Sequence, residues 1–206
     1  MQLSILIPTI YGREYCFDPL LIKLKGDYEW KEISYKSDEG EWRCLQCVDL
    51  PVNIVVLKDR KELPVGTKRN LLMQAASGEY IVYHDCDDRP ADNYKEQLLE
   101  AIGISGADVI TFVVSVSLNG APPKLCFYSK DYKGDYNDSN SYYRLPNHLM
   151  CVKRKLALQV PFAEINFGED ADYAKRLKPL LQTEYNIVKV LYHYDFNSQT
   201  TETQRK

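Results

Sequence analysis

GTKRNLLMQAASGEYIVYHDCDD, residues 66–88, switches pattern twice, and its reading decides the fold class. Residues 67–76 form a predicted helix that starts after Gly66, carries an apolar stripe through Leu71, Leu72 and Ala75, and stops at Ser77-Gly78. Residues 79–83 (EYIVY) then read as a short strand. Directly behind it, His84-Asp85-Cys86-Asp87-Asp88 crowds three carboxylates into one short stretch. A helix feeding a strand with a polar end is half of a β-α-β unit, and sheets built of such units gather ligands at the carboxyl ends of their strands.

Working outward, residues 3–7 (LSILI) are a continuous apolar run cut by Pro8, the pattern of a buried central strand, and residues 52–57 (VNIVVL) repeat it. A helix is expected around residues 17–24. The charged, aromatic stretch 25–49 reads either as a hairpin or as an ordered insertion. Downstream, a helix is predicted over 90–102 with Pro90 near its first turn, then a strand over 109–116 (VITFVVSV). Alternation of this kind predicts a single α/β domain over residues 1–196, with a mostly parallel central sheet flanked by helices. Pro8-Thr9, Lys58-Asp59 and Asp85 to Asp88 each follow a strand and should meet on one sheet edge. The second half is less regular: strands over 124–129, 149–153 and 185–192, a mobile loop over 131–143, a helix over 168–177, and a polar, frayed end from Phe196 that includes the tail 197–206.

The chain has 206 residues, 45% of them hydrophobic, enough for one core. Its first apolar run is too short for a signal sequence or a membrane span, so a soluble, cytoplasmic protein with reduced cysteines is expected. Cys44 and Cys47 form a C-x-x-C pair with no second pair to close a zinc site. A formal net charge of −3 gives no general reason to bind nucleic acid. Tyr132, Tyr136, Tyr142 and Tyr143 read either as a tyrosine-rich surface loop or as a platform on which rings stack.

Crowded carboxylates repel one another unless a cation sits among them, and oxygen ligands that leave room for phosphate suit Mg2+ or Mn2+. The alternative is an acidic turn in which Asp88 caps the following helix. The wider pattern bears on this choice. Gly66-Thr67-Lys68-Arg69-Asn70, Ala76-Ser77-Gly78-Glu79-Tyr80-Ile81, Asp85-Cys86-Asp87-Asp88 and, far downstream, Gly168-Glu169-Asp170 resemble in order the motifs of family two glycosyltransferases of the GT-A fold. The opening Ser4 to Thr9 is similar to that family's first strand.

The resemblance implies a hexosyl- or pentosyltransferase with a UDP-type nucleotide-sugar donor and Mn2+ or Mg2+. Asp87 would be the main metal ligand, Asp85 would touch metal or ribose, and His193 would complete the shell. Asp170, positioned by Glu169, would be the catalytic base. Pro8, Thr9, Glu14, Asp59, Lys68, Arg69, Asn70 and Cys86 would lie by the donor, and His148, Tyr142 and Tyr143 by an acceptor hydroxyl on a glycan, lipid, protein or hydroxymethylated DNA base. Transfer by single displacement inverts the anomeric centre: a cation stabilises the diphosphate leaving group, while a base on the far side takes the acceptor proton. A nucleotidyltransferase would use similar carboxylates but a glycine-rich loop after the first strand, where only Gly12 stands. A nucleotide-sugar-binding module without catalysis is the non-enzyme alternative.

Overall fold

In a computed structural model that describes residues 1–198, strand β1 (Leu3–Ile10) is buried along its whole length. Every second residue faces each side of a sheet, so a strand apolar at successive positions must be covered on both faces. Helix α1 (Glu14–Lys25) follows, then a hairpin of β2 (Trp30–Ser37) and β3 (Gly40–Cys47). This hairpin is the first of the two readings open for the stretch 25–49. It has no apolar run of its own and is held by antiparallel pairing of β3 onto β4 (Val52–Asp59). Cys44 and Cys47 stand three residues apart on β3, hence on opposite faces, and cannot share an ion.

Helix α2 (Val65–Ala75) leads into β5 (Tyr80–Tyr83), and β4, β1 and β5 form the parallel heart of the sheet. The turn between α2 and β5 runs tightly against β1. A Cβ on Gly78 would lie 2.5 Å from the Ser4 nitrogen, so only glycine fits. The Gly78 N–H instead donates to Ser4 Oγ at 2.8 Å.

The next segment departs from expectation. Arg89–Pro90 is a two-residue strand, β6, and α3 (Tyr94–Ser105) begins four residues after Pro90. Asp88 does not cap that helix. It accepts hydrogen bonds from Tyr192 Oη at 2.6 Å and the Asp195 N–H at 3.3 Å, which ties the chain after the acidic cluster to a distant strand.

Strand β7 (Val109–Leu118) is followed by β8 (Lys124–Tyr128), β9 (Tyr136–Asn137), β10 (Ser141–Arg144), β11 (Cys151–Lys153), the short α4 (Arg154–Ala157), α5 (Glu169–Leu177) and β12 (Glu184–Phe196). The stretch expected as a mobile loop therefore contains two strands. β10 runs parallel to β8 and antiparallel to β9, extending the sheet outward from β7. The sheet is thus mixed: its centre is parallel, as is the β7–β12 pair, while the β2–β3 hairpin and short β11 are antiparallel. Phe196 closes β12 opposite Leu118, and the rest of the expected frayed tail, from residue 199, lies outside the described residues. The buried apolar residues of all these layers form one continuous cluster. Among the described residues no helix is long and apolar enough to cross a membrane.

Candidate active site

The carboxyl ends of β1 and β5, the start of α5 and the outer strands β7, β8 and β10 enclose a cavity of about 790 Å3. Pro8, Thr9, Lys68, Arg69, Asp85, Cys86, Asp87, Tyr142, His148, Glu169 and Asp170 all line it. Two remote stretches, the turn after β5 and the start of α5, thus bring Asp85, Asp87 and Asp170 to one space.

Arg69 organises the charges. Its Nη2 donates to Asp85 Oδ1 at 3.1 Å, and its Nη1 lies 3.2 Å from Glu169 Oε1 in an off-axis approach that leaves Nη1 and Nε without hydrogen-bond partners. Its ring neighbours are Tyr83 and Phe162. Residue 69 sits on the buried face of α2, so a charged side chain there must be paired. His148 arrives by another route. Antiparallel β11 lies beside β5, the Tyr83 N–H donates to the His148 carbonyl at 3.1 Å, and His148 Nε2 stands 3.3 Å from Asp85 Oδ2.

The acidic residues have separate environments. Burial opposes charge on Asp85, but Arg69 and His148 outweigh it and hold this carboxyl well below the usual range. Burial raises Asp87, with Asp85 adding to the rise, while Arg13 opposes it through a 3.0 Å ion pair. Asp88, more deeply buried, is pushed well above the usual value by burial and by both neighbours. Glu169 is likewise raised by burial against the pull of Arg69. Asp170, at the first turn of α5, accepts the Ala171 N–H at 2.8 Å on Oδ1.

Five expected residues are not on the cavity wall. His193 is the clearest departure: alternation along β12 sends Tyr192 and Tyr194 toward the acidic cluster and turns His193 to Arg89, Lys23 and Asp92. Tyr143 is turned away from Tyr142 by the same rule and stacks between Phe127 and Tyr136. Glu14 pairs with Lys58 at 3.1 Å. Asp59, fully buried, accepts from Lys68 Nζ at 2.6 Å and from the Leu63 N–H at 2.9 Å, so it shapes the loop after β4.

Asn70 clamps the chain that leads to Asp170. Its side chain exchanges two hydrogen bonds with the Phe162 backbone, at 2.9 and 2.7 Å, and the Gly66 N–H donates to the Ile165 carbonyl. A Cβ on Gly66 would fall 1.8 Å from the Ala163 oxygen, so the glycine and the asparagine of the first motif hold residues 162–168. The sequence reading missed Arg13, whose only signal was its place after β1. It also missed the wall formed by Val114, Val116, Leu118, Tyr128 and Arg144.

The family pattern described as glycosyl transferase family 2 matches residues 40–143. No curated protein matches the chain by sequence. Among solved structures, S. aureus TarS 1-349 in complex with UDP-GlcNAc is similar with TM-score 0.65 and 18% identity, over 96% of this chain and 59% of that one. The same protein in complex with UDP is similar with TM-score 0.64 and 18% identity, over 97% and 62%. The chain therefore spans about 60% of the length of these structures. The fold is GT-A, as the motifs implied.

Proposed function

The chain belongs to glycosyl transferase family 2, and from that premise we propose that it moves a sugar from a UDP-type donor to an acceptor hydroxyl, with inversion at the anomeric carbon. The observation that carries this reading is the meeting of Asp85, Asp87 and Asp170 on one cavity. The UDP and UDP-GlcNAc in the similar TarS structures support the choice of donor.

On the donor side, Thr9, Arg69 and His148 line the cavity and carry buried polar atoms without a hydrogen-bond partner, Nε and Nη1 of Arg69, Nδ1 of His148 and Oγ1 of Thr9, a polar lining suited to a diphosphate. A divalent cation also fits. Asp85 and Asp87 are neighbouring carboxylates whose repulsion is relieved here by Arg69 and Arg13, and a metal ion would supply the same positive charge. Among the described residues no three His, Cys, Asp or Glu side chains form a ready shell. Two carboxylates completed by phosphate oxygens is the pattern that suits Mg2+ or Mn2+, with Asp87 and Asp85 as the holders. The bound ion would act as a Lewis acid toward the leaving diphosphate.

Asp170 accepts the proton of the acceptor hydroxyl. The α5 N-terminus and the Ala171 N–H hold its carboxylate, and Glu169, tied to Arg69, fixes the helix start against the donor wall. Titration calorimetry with UDP, UDP-glucose, UDP-GlcNAc and GDP-mannose, with and without Mn2+, tests this. Expected is UDP-sugar binding strengthened at least about tenfold by Mn2+ and lost in Asp87→Ala. Absence of binding to every donor would reject the reading.

A further inference from the structure

The outer wall of the cavity is built by β7, β8 and β10. Their register sets Val114 beside Cys126 and Cys126 beside Tyr142. Alternation then carries Val116, Leu118, Tyr128 and Arg144 onto the same cavity face. On the reverse face Phe127, Tyr143 and Tyr136 stack in a row, with ring centroids 5.7 and 4.5 Å apart, which stiffens this wall from behind.

Two large apolar side chains on the cavity remain open to water: Leu118, 42% exposed, and Phe167, 59% exposed, three residues before Asp170. The polar capacity is distributed the other way. Among the described residues, the unpartnered buried polar side-chain atoms of residues bordering the cavity belong to Thr9, Arg69 and His148, and none to the strand wall. The cation on this wall, Arg144, is already engaged: Nη1 donates to the Tyr136 and Tyr143 carbonyls and to Asn137 Oδ1, and Nε lies 4.0 Å from Asp135. Beyond the phenols of Tyr128 and Tyr142 and the Asp135 carboxylate, this wall has little with which to bind a row of phosphates. It can shed water from an apolar surface.

We infer that the acceptor presents an uncharged apolar or aromatic group beside its reactive hydroxyl, and that this group lies against Val116, Leu118, Tyr142 and Phe167. The inference rests on the transferase reading, because it is Asp170 that makes this wall the acceptor's side. A phenyl-sized group buried there strengthens binding by about tenfold or more.

The test compares phenyl β-glucoside with methyl β-glucoside, which differ only in the apolar group, by calorimetry with and without saturating UDP. Expected is phenyl over methyl by at least about tenfold. The preference should be erased by Val116→Asp and, at a more exposed position that leaves folding intact, by Leu118→Asp, with UDP affinity unchanged. Equal binding of the two glucosides, binding of neither, or a preference that survives both variants would overturn the inference. So would tighter binding of oligothymidylate, a polyanion. Loss of UDP binding in the unmodified protein counts instead against the transferase reading, since the glucoside comparison is read without UDP as well.

Discussion

The two walls of the cavity handle charge in opposite ways. The wall proposed for the donor, around β1, α2 and β5, concentrates ion pairs: Arg69 with Asp85 and Glu169, Arg13 with Asp87 and, behind it, Lys68 with Asp59. The outer wall, from β7, β8 and β10, offers apolar side chains and one arginine engaged by its neighbours. Pre-placed charges that need no reorganisation suit a site where charge develops on a leaving group. An apolar wall suits a site where water must be kept from competing with the acceptor.

The sharpest way to break this contrast is at the junction of the walls. Asp170→Asn should lower turnover by about 10²–10⁴-fold, the usual scale for a lost general base, with donor affinity unchanged. Steady-state kinetics beside calorimetry would read this, and a comparable fall in donor affinity would assign Asp170 to the donor wall instead.

Next in size is the ion pair beneath the donor wall. Lys68→Met strands Asp59, which is 0% exposed, and should cost about 3–5 kcal/mol in chemical denaturation. Adding Asp59→Leu should recover most of it. Failure of the double variant to recover would mean that the Leu63 N–H, not the lysine, is the more important partner.

Asn70→Ala leaves the Phe162 N–H and carbonyl without their side-chain partner and should cost about 1–3 kcal/mol. It should also lower turnover more than donor affinity, because the segment it releases carries Asp170. An effect on donor affinity alone would return Asn70 to the donor contacts that the motif implied.

The smallest effect is expected behind the outer wall. Tyr143→Ala removes the middle ring of the stack and should cost about 0.5–1.5 kcal/mol beyond lost burial, with no change in UDP affinity. A change in UDP affinity would show that the walls are coupled rather than separate.

The walls also differ in how much of them could be read from the chain. β1, β4, β5 and α2 each declare themselves by a local pattern, and parallel pairing places their polar ends together without further information. Expectations failed where partners come from far away. Pro90 is expected in a helix but pairs with Tyr192, and residues 141–143, expected in a loop, lie in a strand because β8 and β9 flank them. Adjacent tyrosines 142 and 143 looked equivalent until a sheet gave them opposite faces.

What the amino-acid order determined alone is the α/β class, the parallel centre of the sheet and most of the side chains that meet on the cavity beside β1, α2 and β5, since these rest on periodicity and on motifs confined to short segments. Only the tertiary structure decided that His193 turns from the cavity, that Asn70 and Gly66 hold the segment bearing Asp170, and that an apolar face stands beside the acidic one. Those outcomes depend on register between strands far apart in sequence, and a one-residue shift in register would exchange which side chains face the cavity.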